Sequence, residues 1–282
     1  MLLGAHMSVE GGVANAIDRG ESIGCTAIQI FAKNNHRMFS PPLREGDVRA
    51  FKKKWKKSKI QVVFSHVGYL VNLASPKKTF REVSIKSMRD ELERAEILGL
   101  PFVVLHPGAS LEKTTEEGIK TIAQSLSQLI RGTGGYKVKI ALENTAGAGS
   151  GVGDRFEDLA EILDRTTESR RLGVCLDTCH THAAGYDIRT KPAFEETMKQ
   201  FNIVIGLEHL LAIHMNDCKA EKGAHKDRHE HIGKGHLGLM PFRLLMNDRR
   251  FAKIPKVLET PKGPDMIEDV MNLTTLRNLV WR

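Results

Sequence analysis

Short apolar runs alternate along the chain with longer stretches whose apolar positions recur at helical spacing, the pattern of repeated βα units around a parallel sheet. The first run, Leu2 to Ala5, leads through His6-Met7-Ser8 and Gly11-Gly12 into a helical pattern carrying Val13, Ala16, Ile17 and Ile23. Ala27 to Phe31 reads as the second strand, followed by a polar loop from Lys33 to Glu45 and a helix from Asp47 to Lys57. The third strand ends at His66, and a charged helix from Thr79 to Leu98 follows, closed by Gly99. The fourth ends at His106; Pro107-Gly108 turns the chain and Thr114 caps a helix reaching about Ile130. The fifth ends at Glu143, ahead of a glycine-rich loop from Gly147 to Gly153 and a helix from Phe156 to Arg165. The sixth holds Cys175-Leu176-Asp177 and passes into what reads as a polar, glycine-bearing loop, with Pro192 opening the next helix. The seventh ends at His214, and a long loop from Asn216 to His236 precedes a helix from Pro241 to Asn247. The eighth ends at Glu259, and Met266 to Leu279 is the last helix.

Eight such alternations in 282 residues predict an α/β fold of the (β/α)8 TIM-barrel type, one domain spanning residues 1–282. The alternative, an open doubly wound sheet, would scatter the polar residues at the strand ends along a crevice. A closed barrel converges them on one mouth, at the C-terminal end of the strands.

Composition narrows the class. The chain is 41% hydrophobic with few aromatics and no low-complexity tract, which suits one large globular core. It has no apolar run long enough to span a bilayer, and its N-terminus enters a strand without a basic-then-apolar leader, so a cytoplasmic protein with no membrane partner is expected. Cys25, Cys175, Cys179 and Cys218 sit mostly in apolar runs, as buried thiols rather than a disulfide framework. Cys175 and Cys179 are not read as a zinc-binding pair. A net charge of +8 and a pI near 9.3 favour an anionic partner, nucleic acid foremost.

The strand ends carry the chemistry. His66, His106, Glu143, Asp177, His214 and Glu259 each close an apolar run, His180 follows Asp177 closely, and Asp227 and His229 come from the long seventh loop. Imidazole and carboxylate suit a borderline divalent metal. Nine such side chains, with one carboxylate bridging, fill about ten coordination positions, enough for three ions with room for substrate. A lone histidine at a strand end is ordinary; nine donors at one mouth are not. His6 is expected at the mouth as a ligand or as a residue orienting one. His36, His182, His209, His225, His231 and His236 read as solvated or supporting residues.

Cations in the segments after strands should ring the mouth and meet phosphates: Lys33, Arg37, Lys219, Lys222, Lys226, Arg228, Lys234 and Lys262. The denser run Lys52-Lys53-Lys54-Trp55-Lys56-Lys57 ends a helix that travels away from the mouth, so it is read as a solvated far face that complements the helix C-terminus.

These residues carry a family resemblance along the whole chain. Gly4-Ala5-His6-Met7-Ser8, Ser65-His66-Val67-Gly68-Tyr69-Leu70, Leu105-His106-Pro107-Gly108 and Leu142-Glu143-Asn144-Thr145-Ala146-Gly147 are one part of it. Cys175 to Asp187, His214-Met215-Asn216-Asp217, Asp227-Arg228-His229 and Leu258-Glu259-Thr260-Pro261 are the rest. The sequence resembles endonuclease IV, the zinc-dependent apurinic/apyrimidinic (AP) endonucleases of DNA repair. The resemblance implies three Zn2+ ions: one on His66, His106 and Glu143, a second on Glu143, Asp177, His214 and Glu259, and a third on His180, Asp227 and His229. Glu143 would bridge the first two and be central to catalysis. The implied reaction is hydrolysis by metal-activated hydroxide 5′ to an abasic site in duplex DNA, leaving 3′-hydroxyl and 5′-deoxyribose phosphate ends, together with removal of 3′ blocking groups. A monomer is expected.

Tyr69 and Leu70 are the implied wedge into the base stack. One departure stands out: the family usually carries an inserting arginine after the Lys33-Asn34-Asn35 stretch, whereas this chain has His36 with Arg37 one residue later. Either could fill the role. The rival readings are a metal-dependent sugar isomerase on a similar barrel, which would need fewer imidazoles and no basic rim, and a non-catalytic binding protein.

Overall fold

The computed structural model describes residues 1–281. Its strands are β1 (Leu3–Met7), β2 (Ala27–Phe31), β3 (Val62–His66), β4 (Phe102–Leu105), β5 (Lys139–Glu143), β6 (Leu172–Asp177), β7 (Leu210–His214), β8 (Asp217–Cys218), β9 (His229–Glu230) and β10 (Lys256–Leu258). Its α-helices are α1 (Asn15–Ser22), α2 (Glu45–Lys57), α3 (Lys78–Leu98), α4 (Thr115–Gly132), α5 (Phe156–Arg165), α6 (Thr178–Ala183), α7 (Lys191–Val204), α8 (Met240–Asn247) and α9 (Ile267–Asn278). β1 to β7 and then β10 close into an all-parallel barrel, with β10 returning to β1. The TIM barrel expected from the alternation is therefore the fold. All strand C-termini open at one mouth. None of the described helices is long and apolar enough to cross a membrane.

Period two explains how the polar residues reach that mouth. Side chains alternate across a strand, so position i+2 repeats the face of i. Phe64, Val104, Ala141, Cys175, Ala212 and Val257 form an apolar plug inside the barrel, joined by Phe102, whose ring stacks 4.6 Å from that of Phe64. Two positions further along the chain stand His66, His106, Glu143, Asp177, His214 and Glu259. The polar layer is thus the next rung of the inward ladder, and the plug beneath it sets its depth.

Local signals set the frame around it. Thr114 and Glu117 form a reciprocal capping box that starts α4, and Gly99, at φ +80°, stops α3 in the left-handed region. A Cβ at Gly4 would lie 1.7 Å from the Ala27 carbonyl oxygen, so β1 and β2 approach as they do only with glycine there.

Two expectations are corrected. The stretch after Asp177 is not a loop but the buried helix α6: the Asp177 side chain accepts from His180 N–H at 2.8 Å as its N-cap. Thr181 Oγ1 donates back to the Asp177 carbonyl at 2.6 Å. The loop after β7 is not without structure either, since β8 and β9 pair antiparallel within it. The Asp217 carboxylate gathers that loop by accepting from the N–H groups of Cys218, Gly233 and Leu237 at 2.8, 2.9 and 2.9 Å. The four cysteines are free and buried.

Candidate metal centre and nucleic-acid groove

Glu143 is the hub of the mouth. It is fully buried at the end of β5, and its Oε2 lies 2.9 Å from His66 Nε2 and 3.0 Å from His106 Nε2. Its Oε1 lies 2.9 Å from His214 Nδ1 and 3.3 Å from His180 Nδ1. His214 Nδ1 is also 3.1 Å from Glu259 Oε2 and 3.8 Å from Asp177 Oδ2. On the far side of His180, its Nε2 is 3.2 Å from Asp227 Oδ2, and His229 Nε2 is 3.3 Å from Asp227 Oδ1. Three sets of potential ligand atoms lie mutually within 4.8 Å: His66, His106 and Glu143; Glu143, Asp177, His214 and Glu259; and His180, Asp227 and His229. A fourth set, Asp177, Cys179 and His229, overlaps them.

The supporting bonds decide whether metal ions fit. An imidazole is prepared as a ligand when one ring nitrogen is engaged behind it and the other faces the site. His66 Nδ1 is engaged by the Val67 carbonyl at 2.7 Å, His180 Nδ1 by the Asn144 carbonyl at 2.9 Å and His229 Nδ1 by the Glu259 carbonyl at 3.2 Å. Each leaves Nε2 toward the carboxylates. The Nε2 atoms of His180 and His229 are buried and face the Asp227 oxygens at 3.2 and 3.3 Å without hydrogen-bond geometry, an arrangement that a further partner between them would satisfy. Asp177 is oriented too, its Oδ2 accepting from Asn216 Nδ2 at 2.6 Å. Five imidazoles and four carboxylates so arranged fit borderline divalent ions.

The charges agree with that fit. Burial alone would raise Glu143, yet His214, His106 and His180 hold it well below the usual carboxylate range. Burial would likewise raise Glu259, but the charge of His214 keeps it low. Burial would lower His180 and His214, and the surrounding anions, with Cys175 beside His214, instead hold both well above the ordinary imidazole value. Metal uptake must therefore displace protons, so it weakens as pH falls.

Above this layer a cavity of about 570 Å³ is lined by His6, Phe31, Tyr69, Lys219, Arg228 and Lys262 together with the candidate ligands. A second, of about 300 Å³, shares Tyr69, His106, His180 and Asp227 with it and extends past Ala109, Ala148 and Gly151. Together they form a groove across the mouth. Tyr69 is 72% exposed and Leu70 43%, and the Tyr69 ring stands edge-on to Phe31 at 6.1 Å. His36 and Arg37 are exposed as well. The Gly68 backbone lies so near Asn35 that a Cβ there would be 2.7 Å from the Asn35 carbonyl oxygen, which brings the two loops side by side.

Lys33 is not on this rim. Its ammonium is buried against α3, donating to the Met38 carbonyl at 2.8 Å and to Ser87 Oγ and Asp90 Oδ2 at 3.0 Å, with Glu91 at 3.5 Å. Its place after a strand suggested a phosphate contact, but its stem runs under the loop and clamps it to α3. Lys33→Met should destabilise the fold by roughly 3–5 kcal/mol, because it strips a buried anion of its partner, and should leave the salt dependence of DNA binding unchanged. Urea midpoints and titrations with duplex DNA in salt check this; a reduced salt slope in a stable variant would return Lys33 to the phosphate contacts expected from the sequence.

Other cations are partly engaged. Lys222 lies 4.0 Å from Asp187 and Lys262 2.7 Å from Asp269, whereas Arg37, Lys226, Arg228 and Lys234 have no acidic side chain within salt-bridge distance among the described residues. His182, read as solvated or supporting, is fully buried in α6 with neither ring nitrogen hydrogen-bonded, and burial pulls its pKa down to about 4. The sequence reading missed Gln29, Asn144 and Asn216, which are buried against the candidate ligands. Gln29 did leave a signal, as a lone polar residue inside an apolar strand.

A barrel with a polar cluster at its mouth is shared by a broad class, and residues 17–277 match the family model of the xylose isomerase-like TIM barrel. A D-tagatose 3-epimerase-like protein superposes with a TM-score of 0.74 at 19% identity, covering 99% of this chain and 98% of that one, and shares the fold alone. A relative from Chloroflexus aggregans called probable endonuclease 4 is 45% identical over 277 residues, 98% of this chain and 97% of the relative. The crystal structure of endonuclease IV from Thermus thermophilus superposes with a TM-score of 0.86 at 34% identity, covering 99% and 98% of the two chains. The chain belongs to the endonuclease IV family, and so to the hydrolases.

Proposed function

We propose that the chain hydrolyses the phosphodiester 5′ to abasic sites in duplex DNA, leaving a 3′-hydroxyl and a 5′-deoxyribose phosphate, and that it also clears blocked 3′ ends. The observation that carries this reading is the convergence of nine metal-donor side chains in one groove beside the exposed Tyr69 and Leu70. Three zinc ions would be held by His66, His106 and Glu143; by Glu143, Asp177, His214 and Glu259; and by His180, Asp227 and His229. Ions there would supply Lewis-acid charge to a phosphoryl oxygen and acidify water, so that no serine or cysteine nucleophile is required.

The chain's own residues do the rest. Glu143, shared by two sets, fixes their spacing and keeps its negative charge in a buried site. Four carboxylates against three dications would leave the site net positive for a phosphate to meet. Lys219, Arg228 and Lys262 line the groove and would hold flanking phosphates, with Arg37 and His36 on the adjacent loop. The expected product is a nick with an extendable 3′-hydroxyl, read by end-labelled duplex and polymerase extension. A 3′ unsaturated aldehyde, or ketose interconversion without nicking, would replace this reading with a lyase or a sugar isomerase.

Tyr69 and Leu70 act as the wedge. Opening a continuous stack costs a few kcal/mol that a nick partly relieves. Tyr69→Ala with Leu70→Ala should therefore slow cutting of an intact abasic duplex at least about tenfold more than removal of a 3′ block at a nick. Equal losses on the two substrates would assign these side chains to loop packing.

A further inference from the structure

Gln29 lies on β2, two positions before Phe31, and is fully buried beneath the ligand layer. Its side-chain amide touches three groups of the mouth. Nε2 donates to Glu259 Oε1 at 2.5 Å and lies 2.9 Å from His6 Nδ1, while Oε1 lies 2.8 Å from His214 Nε2. An ionised carboxylate only accepts, so the amide nitrogen must be the end that faces Glu259. The remaining assignments follow. The second amide proton points at His6 Nδ1, which must be an acceptor, so neutral His6 carries its proton on Nε2. The amide oxygen accepts, so His214 carries a proton on Nε2 and turns Nδ1 toward Glu143, Glu259 and Asp177. Glu259 Oε1 is occupied by the amide, and Oε2 is the oxygen left 3.1 Å from His214 Nδ1.

His214 is thereby set opposite to its neighbours. His66, His180 and His229 are held through Nδ1 by backbone carbonyls; His214 is held through Nε2, and by a side chain. We propose that Gln29 is a positioning residue that selects Nδ1 of His214 and Oε2 of Glu259 as the atoms presented to a zinc ion. One amide does this for two ligands at once, because its donor and acceptor ends match an anion and an N–H. The inference rests on reading Glu143, Asp177, His214 and Glu259 as a metal site.

Zinc competition against a chromophoric chelator, on wild type and on Gln29→Met, tests it. Methionine keeps the length and loses both hydrogen-bonding ends. Loss of a residue that orients metal ligands weakens binding by about 10- to 100-fold, and that range is expected for one zinc equivalent, while the metal-free protein melts somewhat lower because Glu259 and His214 lose a buried partner. Long-range 1H–15N spectra of the zinc-loaded wild type should show His214 coordinated through Nδ1 with Nε2 protonated, and His6 protonated at Nε2. These spectra need no variant, so the inference stays testable if Gln29→Met does not fold. Zinc coordinated through His214 Nε2, or a Gln29→Met affinity within about twofold of wild type, overturns the role of Gln29 while leaving the metal site standing. A wild-type protein that takes up no zinc overturns both.

Discussion

Glu143→Gln is expected to lower nicking of an abasic duplex by at least about 10³-fold while the barrel stays folded, since even one transition-state donor removed from a preorganised site costs about 10²–10³. Glutamine matches the shape of glutamate, so the buried space is filled and the apolar plug under it is untouched. Charge and polarity are what change. Glu143 now faces four imidazole nitrogens at 2.9 to 3.3 Å with acceptor oxygens on both sides. An amide turns one of those sides into a donor and removes the negative charge that two ions would share. Metal analysis should show the loss of at least about one zinc equivalent, and circular dichroism an intact fold. Full metal content with near-normal nicking would remove the bridging role.

His229→Ala has the next largest expected effect. It should lose about one zinc equivalent and slow hydrolysis about 10²–10³-fold, while duplex affinity falls far less because Lys219, Arg228 and Lys262 remain. The loop itself should stay protected in hydrogen exchange. Its own hydrogen bonds brace it: β8 and β9 pair, Lys219 N–H donates to the Arg228 carbonyl at 2.8 Å, and Asp217 collects three further N–H groups. Asp217→Ala is the change that should loosen residues 219–234. A His229→Ala enzyme with all of its metal and its full rate would make Asp227 and His229 ordinary loop residues.

The contrast between those two loop variants shows what could be read from sequence. The polar strand ends were legible because period two ties each to an inward apolar residue, as Ala141 to Glu143 or Val257 to Glu259, and the apolar runs themselves were plain. The caps at Thr114 and Gly99 were equally local. What was missed depended on distant partners. Lys33 follows a strand like a rim residue, and only Ser87, Asp90 and Glu91, more than fifty positions away, show that it is buried. α6 has no apolar period in Thr178-Cys179-His180-Thr181-His182, so its helix is set by the Asp177 cap and by Asn144 and Asn216 from neighbouring strand ends. His182 is buried because that helix exists. Gln29 was visible as an oddity in β2, but its meaning needs Glu259, His214 and His6 around it.

Metal content and nicking measured on the same preparation test the central claim most directly. The purified protein should carry about three zinc equivalents. It should cut a duplex with one abasic site on its 5′ side, lose that activity when a strong chelator strips the metal, and recover it when zinc is restored. Undiminished nicking by the fully stripped protein, or a fully loaded protein that leaves the abasic duplex intact, would contradict the assignment of the barrel mouth as a metal-dependent AP endonuclease site.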